Sequence, residues 1–295
     1  ALPIVFTEAS KTPGSWGGII MVGDAPIVGA KSVATATTED GNNLPYGGTN
    51  DTHNGGTLKY VRVEYAGKKL TDNTSEMNGF SFYSVGSGTV LENLVAYKGA
   101  DDGFEFYGGT VSAKNLISYG NFDDSFDWQD GWRGDANTNW YAYQVVTGNY
   151  GMEIEAKSIN NAFGPKVSNI TLTRAAGTVT EGGSSANEFD AIQFKKEGNG
   201  EYTNVVISGY TTSNTTLTAT AVRIQDKSTN DNQVTGGKIK MLNVKINDGT
   251  SQFAGVGTTF TVAFPTGNYT TSTTATGATL TAGAWAIVDG VSLIK

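Results

Sequence analysis

Short runs that alternate small, apolar, variable and apolar positions recur through the chain. Asn78-Gly79-Phe80-Ser81-Phe82-Tyr83 lines up with Asp102-Gly103-Phe104-Glu105-Phe106-Tyr107, with Asp124-Ser125-Phe126-Asp127-Trp128 and with Tyr150-Gly151-Met152-Glu153-Ile154. Looser copies follow at Asp190-Ala191-Ile192-Gln193-Phe194 and Thr220-Ala221-Val222-Arg223-Ile224. Phe80, Phe104 and Phe126 stand 24 and 22 residues apart. A period of two over a short run predicts a strand with one buried face.

A second motif is interleaved with the first. Leu91-Glu92-Asn93-Leu94-Val95-Ala96-Tyr97 matches Ala113-Lys114-Asn115-Leu116-Ile117-Ser118-Tyr119, and later copies centre on Asn169, Asn204 and Asn243. Tyr60-Val61-Arg62-Val63-Glu64-Tyr65 is a relative that lacks the Asn. Each repeat therefore holds at least two strands joined by Gly-rich turns, with no helical period between them. Rungs of about 22–25 residues are too short for propeller blades, and no Leu ladder marks a leucine-rich repeat. The all-β fold expected is a right-handed parallel β-helix, whose rungs stack to share one core. Phe80, Phe104, Phe126 and Met152 form one inward column; Asn93, Asn115, Asn169 and Asn204 form an amide ladder at a turn.

One domain, 1–295, is expected. Three stretches break its rhythm: 34–56, 129–140 and 176–188, all read as loop excursions. From about 249 to 295 the chain is Thr/Gly-rich, with strands expected near Phe260–Phe264 and Ala284–Val288, as terminal rungs or a cap.

If Phe104 and Phe106 point inward, the residue between them points out. The outward column then reads Ser81, Glu105, Asp127, Glu153, Gln193, Arg223. Neighbouring rungs lie about 4.8 Å apart, so its carboxylates repel one another. Asp101-Asp102 and Asp123-Asp124 precede the same strands, and Asp130 and Asp135 follow. An acidic patch with few bases needs a cation or raised pKa values. An all-oxygen donor set suits Ca²⁺, which takes 6–8 oxygens at about 2.3–2.6 Å, better than Mg²⁺. The candidate ligands are Asp101, Asp102, Glu105, Asp123, Asp124 and Asp127. An Asp at a turn also bonds ordinarily to the backbone, and that plainer role competes with the first.

Composition narrows the chemistry. With 20 Lys plus Arg against 28 Asp plus Glu the net charge is −8, which speaks against nucleic acid as a partner. No Cys and one His exclude thiolate zinc sites and make Ser-His catalysis improbable. No apolar run is long enough to cross a membrane as a helix. Low charge (16%), 39 Gly and no Cys suit an extracellular or surface-exposed bacterial protein, and the abrupt opening at Ala1 suits a mature or trimmed chain. Trp128, Trp132, Trp140, Tyr141 and Tyr143 gather near the acidic rungs. Trp132, flanked by Gly131 and Arg133, is expected to be exposed; Trp128, Trp132, Arg133 and Glu153 are the candidate ligand-binding residues. Glycosidase-like carboxylate pairs (Glu105 with Asp127, Asp127 with Glu153) are available, although spacing alone selects none of them. His53 is read as a solvated loop residue.

Ala100-Asp101-Asp102-Gly103-Phe104-Glu105-Phe106 and Phe122-Asp123-Asp124-Ser125-Phe126-Asp127-Trp128 resemble the calcium-site rungs of family 9 pectate lyases, which are right-handed β-helices. The resemblance implies that Asp101, Asp123, Asp124 and Asp127 bind Ca²⁺. It also implies a Lys base in a Gly-Phe-Lys-Leu strand on a following rung; the equivalent slots here hold Glu153 and Gln193, with Lys195 and Lys196 just past the strand and Arg223 in the same column. More broadly, Pro3-Ile4-Val5-Phe6-Thr7, Gly14-Ser15-Trp16-Gly17-Gly18 and the run from Gly56 to Gly67 resemble secreted or surface β-helix proteins of Bacteroidetes-type bacteria, which usually carry further strands before the Pro-Ile-Val-Phe segment.

Two functions are weighed. One is a monomeric, secreted or surface-exposed, calcium-binding β-helix that binds polysaccharide or another surface component without catalysis. The other is a Ca²⁺-dependent polyuronate lyase acting by β-elimination, with Lys195, Lys196 or Arg223 as candidate base.

Overall fold

The alternating runs form two parallel sheets that face each other across one core. The computed structural model describes residues 1–28, 33–70, 77–180, 188–211, 218–248, 250–256 and 259–295. One sheet has eight strands, in spatial order Ile19–Val22, Phe80–Tyr83, Phe104–Tyr107, Phe126–Gln129, Met152–Ile154, Ile192–Phe194, Thr220–Ile224 and Ser251–Gly255. The other has nine: Ile4–Phe6, Thr57–Glu64, Val90–Tyr97, Ala113–Tyr119, Asn137–Gln144, Lys166–Arg174, Gly200–Ser208, Ile239–Ile246 and Tyr269–Thr271. Spatial order follows chain order within each sheet, so every circuit of the chain adds one strand to both. The fold is a right-handed parallel β-helix.

Register makes the columns. Phe80 pairs with Phe104, Phe104 with Phe126, Phe126 with Met152, Met152 with Ile192 and Ile192 with Val222. All six side chains are buried. Phe80 and Phe104 stack with centroids 4.9 Å apart and planes within 3°. Such a pair adds roughly 0.5–1.5 kcal/mol beyond the burial of its area. Stacked rungs thus supply the core that no single rung has.

The asparagine ladder marks a bend in the nine-stranded sheet. Asn93, Asn115, Asn139, Asn169, Asn204 and Asn243 all hold φ between 56° and 60°. Asn tolerates this left-handed conformation, and its amide bonds locally. Asn115 donates to Asn93 at 3.0 Å, Asn139 to Asn115 at 3.0 Å and Asn204 to Asn169 at 2.7 Å.

Asn139 corrects the reading of 129–140 as an excursion. Asn137–Gln144 is a full strand, with Trp140 opposite Leu116 and Tyr141 opposite Ile117. Asp130 and Gly131, at φ 55° and 69°, turn the chain tightly between strands. Trp132 is corrected with it. It is 1% exposed, stacks on Phe106 at 4.4 Å and donates its indole N–H to the Val111 carbonyl at 3.0 Å. Gly and Arg neighbours suggested exposure, but the tight turn swings the ring under the sheet.

The 34–56 stretch contains an antiparallel ribbon, Ala36–Thr37 with Pro45–Tyr46, laid over the outer face of the eight-stranded sheet. Tyr46 packs 5.0 Å from Tyr83 and 6.2 Å from Tyr107, and its hydroxyl bonds to Asp130. His53 is half-buried there, its Nδ1 accepting the Gly86 N–H at 3.4 Å. Of the 176–188 stretch, residues 181–187 lie outside the described residues.

Beyond 249 the chain adds Ser251–Gly255 and Tyr269–Thr271 as a last rung. No strand forms at Phe260–Phe264: Val262 is buried and Phe264 packs 5.1 Å from Phe253, so this segment covers the last rung instead of extending it. Ala284–Ala286 is a single helical turn, and Ile287–Val288 pairs antiparallel with Val291–Ser292. These elements belong to a strap that runs back along the outside of the nine-stranded sheet. Thr276 N–H reaches Asn204 at 2.8 Å, Ala278 N–H reaches Thr171 at 2.9 Å, and Thr279 N–H reaches Asn139 at 3.2 Å. Trp285 then packs 6.5 Å from Tyr60, and Arg62 donates to the Ile287 carbonyl at 2.9 Å.

Candidate functional site

The outer face of the eight-stranded sheet carries three neighbouring columns. Ser81, Glu105, Asp127, Glu153, Gln193 and Arg223 occupy the central one in register, rung by rung. On one side, at the turn before each strand, stand Asn78, Asp102, Asp124, Tyr150 and Asp190. On the other, two positions on, come Tyr83, Tyr107, Gln129 and Glu155. Alternation along each strand makes the last column share a face with the first.

Between them lies a cleft of about 230 Å³. Nine carboxylates line it: Glu39, Asp101, Asp102, Glu105, Asp123, Asp124, Asp127, Glu153 and Glu155. Three lysines, Lys157, Lys195 and Lys196, stand against them. Within the cleft three acidic groups each bring their oxygens within 4.8 Å: Asp101/Asp102/Asp123, Asp102/Glu105/Asp127 and Asp124/Asp127/Glu153.

The two aspartate turns serve the coil as well as the cleft. Asp102 accepts the backbone N–H of Asp124 at 2.9 Å, and Asp124 accepts that of Tyr150 at 2.6 Å. Asn149 donates its amide to Asp123. Glu105 is held by Asn78 at 2.5 Å, by Gln129 at 3.1 Å and by the Tyr107 hydroxyl. Asp127 differs: its Oδ1 is buried with no hydrogen-bond partner among the described residues, and so is Oε1 of Gln129 beside it.

Crowded burial sets the protonation. Desolvation, then Asp124 and Asp123, hold Asp102 well above the usual carboxylate range. Asp124 is raised by burial, Asp123 and Glu153, and Asp127 by burial, Glu105 and Glu153. Burial and Glu39 push Glu105 up to about 8, and burial pushes Asp130 to about 6. Glu155 goes the other way. Burial alone would raise it, but Lys195, Lys157 and Lys196 outweigh burial and hold it down.

The lysines occupy one wall. Lys195 bonds to Glu153 and lies 3.6 Å from Glu155; Lys196 lies 2.8 Å and Lys157 3.4 Å from Glu155. Lys195 follows its strand without any slip of register, since Phe194 pairs with Ile154 and the Lys195 N–H donates to the Ile154 carbonyl at 2.9 Å. Its long side chain reaches back to the Glu153 rung.

The family profile described as "Pectate-lyase like beta helix domain" matches residues 1–288. The chain belongs to the pectate-lyase-like β-helix family. No curated protein and no solved structure matches it.

In this pectate-lyase-like β-helix, Asp101, Asp102, Glu105, Asp123, Asp124, Asp127 and Glu153 all meet in the cleft, with Lys195 and Lys196 on its wall. Arg223 does not reach it. Its guanidinium grips Asp190, Nε to Oδ2 at 2.9 Å and Nη2 to Oδ1 at 3.0 Å, closing the column two rungs beyond Glu153. Trp128 and Trp132 are core residues and present no ring face to a ligand. Arg133 stacks its guanidinium on Phe163, 3.6 Å from the ring centre, outside the cleft. Tyr141 and Tyr143 belong to the outer face of the opposite sheet, under the strap.

Glu155 and Gln129 share the period-two face of Glu153 and Asp127, so alternation alone marks them as cleft residues. Glu39 carries no such signal. It arrives from the 34–56 excursion, 3.3 Å from Lys157 and within 3.4 Å of Gln129 and the Tyr107 hydroxyl.

Proposed function

We propose that this protein is an extracellular, cation-stabilised β-helix that binds polysaccharide along its acidic cleft. The observation that carries the reading is the buried, unpartnered Oδ1 of Asp127, a residue that belongs to two of the three acidic groups. A buried carboxylate oxygen without a donor is costly unless a proton or a cation meets it, and a cation can neutralise several crowded carboxylates at once. Asp101, Asp123, Asp124 and Asp127 offer hard oxygen donors only, which fits Ca²⁺. Asp102 groups with Asp101 and Asp123, Glu105 with Asp102 and Asp127, and Glu153 with Asp124 and Asp127. Bound there, Ca²⁺ would neutralise the mutual repulsion of these groups and offer open coordination positions to hydroxyl or carboxylate oxygens of a glycan. Membership of the pectate-lyase-like family supports a polysaccharide as the partner.

One observation favours a second reading, polyuronate lyase chemistry. Lys195 places an ammonium beside Glu153, on the rung next to Asp127. β-Elimination needs a base for the C5 proton and a cation for the uronate carboxylate. The charges of Glu153, Glu155 and Asp127 raise the Lys195 pKa above its ordinary value against the opposing effect of burial, so without a cation the amine stays protonated.

Two measurements on the full chain decide. Calorimetric titration with Ca²⁺ is expected to show uptake that Asp127→Asn abolishes; no uptake by the wild-type protein overturns the cation reading. Absorbance near 235 nm during incubation with polygalacturonate or alginate separates the two functions. A flat trace with retained glycan binding is expected for the binding protein, and a rise abolished by EDTA would establish the lyase.

A further inference from the structure

We infer that Arg174, which belongs to the opposite sheet, is a positioning residue for the Asp123–Asp124 wall of the cleft; this rests on reading the cleft as a cation site. Arg174 ends its strand, buried and paired in register with Gln144. Its Nε donates to Gln144 Oε1 at 3.0 Å. Its Nη2 donates to the carbonyls of Asn149, of Gly148 at 3.1 Å and of Glu188 at 3.4 Å, and the guanidinium lies 4.6 Å from the Tyr210 ring centre. Gln144 completes the grip, its Nε2 donating to Asn149 and Tyr150 carbonyls at 3.3 and 2.8 Å.

The 148–150 turn is therefore held by its carbonyls from one sheet and offers its donors to the other. Asn149 gives its backbone N–H to the Asp123 carbonyl at 3.0 Å and its side-chain amide to the Asp123 carboxylate. Tyr150 gives its N–H to Asp124 Oδ1 at 2.6 Å. Gly148, at φ 156°, lets Gln144 approach; a Cβ there would meet the Gln144 side chain at 2.8 Å. A planar guanidinium with several donors can gather carbonyls in this way, and a lysine ammonium cannot hold the same fork. Arg174 thus fixes the two aspartates through the turn, without touching a ligand itself. Groups that orient metal ligands in this way typically account for 10–100-fold in affinity.

The test uses the full-length wild-type protein with Arg174→Met, whose apolar chain still packs on Tyr210, and with Arg223→Met as a control that breaks an arginine pair outside the cleft. Ca²⁺ affinity is read by calorimetry, and amide exchange at Asn149 and Tyr150 is read without calcium. Arg174→Met is expected to bind Ca²⁺ about 10–100-fold more weakly and to exchange those amides faster. Arg223→Met is expected to leave both unchanged. Should Arg174→Met not fold, Gln144→Met, which removes the amide's grip on Asn149 and Tyr150 together with the acceptor of Arg174 Nε, is read in the same way. Unchanged affinity and exchange in the folded variant overturn the inference alone. Absence of Ca²⁺ uptake by the wild-type protein overturns the cation reading and the inference together.

Discussion

The carboxylate of Asp102 accepts the backbone N–H of Asp124 from the next rung, 2.9 Å away. Asp124 repeats the arrangement with Tyr150, and Asp190 repeats it with Thr220 at 2.6 Å. One oxygen of each aspartate is thereby committed to the coil. At Asp102 and Asp124 the same side chain also lines the cleft. The plain backbone role of an aspartate at a turn and a cation-holding role therefore coexist in one residue, and substitution can separate them.

Asp124→Asn keeps an oxygen for the Tyr150 N–H and removes one of the buried like charges. Its melting temperature in EDTA is expected to equal or exceed that of the wild type. Asp124→Ala strands a buried N–H, at a cost of about 1–3 kcal/mol, so it is expected to melt lower even in EDTA. Both variants are expected to lose the gain that Ca²⁺ gives the wild-type protein. Thermal melts of the three proteins with and without the cation check this. A full calcium-dependent gain in Asp124→Asn would remove Asp124 from the ligand set.

Lys195→Met removes the ammonium that Glu153 and Glu155 share. A positive charge near a cation site opposes binding through Coulomb repulsion, and removing it favours the cation. The variant is therefore expected to bind Ca²⁺ several-fold more tightly. Under the lyase reading the same change abolishes any rise at 235 nm. Tighter cation binding together with lost elimination would assign Lys195 as the base. Weaker cation binding would show that the lysine organises the wall rather than competing with the cation.

The raised carboxylates make stability without metal depend on pH in a definite direction. A carboxyl whose folded pKa lies above its unfolded value takes up more protons in the folded state between the two. For Glu105 that window runs from 4.5 to about 8, and stability is lost as pH rises through it. Asp102, Asp124 and Asp127 add slope of the same sign. Glu155 opposes it at the acid end, because its depressed pKa removes stability as pH falls below the ordinary carboxylate range. In EDTA the melting temperature is expected to peak in mild acid and to fall toward pH 8, with each extra proton worth about 1.4 kcal/mol per pH unit. Added Ca²⁺ is expected to flatten the fall. A flat EDTA profile from pH 5 to 8 would contradict the charge state assigned to the cleft.

Where one physical rule governs a feature, the chain states it openly. Alternation alone placed Glu105, Asp127 and Glu153 on one outer column and Phe104, Phe126 and Met152 inside, in the register observed. The same rule reached Gln193 and Arg223, but it cannot tell which of these faces open space; Asp190 claims Arg223. Asn139 was concealed because Trp, Asp and Asn so close together read as a loop, although Thr138-Asn139-Trp140 follows the ladder motif. Exposure of Trp132 failed for a related reason, since a two-residue left-handed turn directs the ring inward. Glu39 and the strap arrive through irregular chain, and no period along the sequence marks their contacts.

The strap yields the last prediction. A solenoid is stabilised mainly between adjacent rungs, so its ends tend to open first. Residues beyond Thr271 depart from this pattern by tying Asn204, Thr171 and Asn139, on three successive rungs, and Arg62, three rungs beyond Asn139, to one continuous segment. Trp285 anchors its far end in an outer cluster with Tyr65, Val95, Tyr97, Ile117 and Tyr141. Trp285→Ala empties that anchor and is expected to cost about 3–5 kcal/mol. The loss should spread over the rungs the strap crosses, seen as faster amide exchange from Thr57–Glu64 through Asn137–Gln144. Asp124, on the other sheet, keeps its partners in this variant, so Ca²⁺ affinity is expected to stay within about twofold of the wild type. Exchange that quickens only beside Trp285 would mean that the rungs hold one another without the strap.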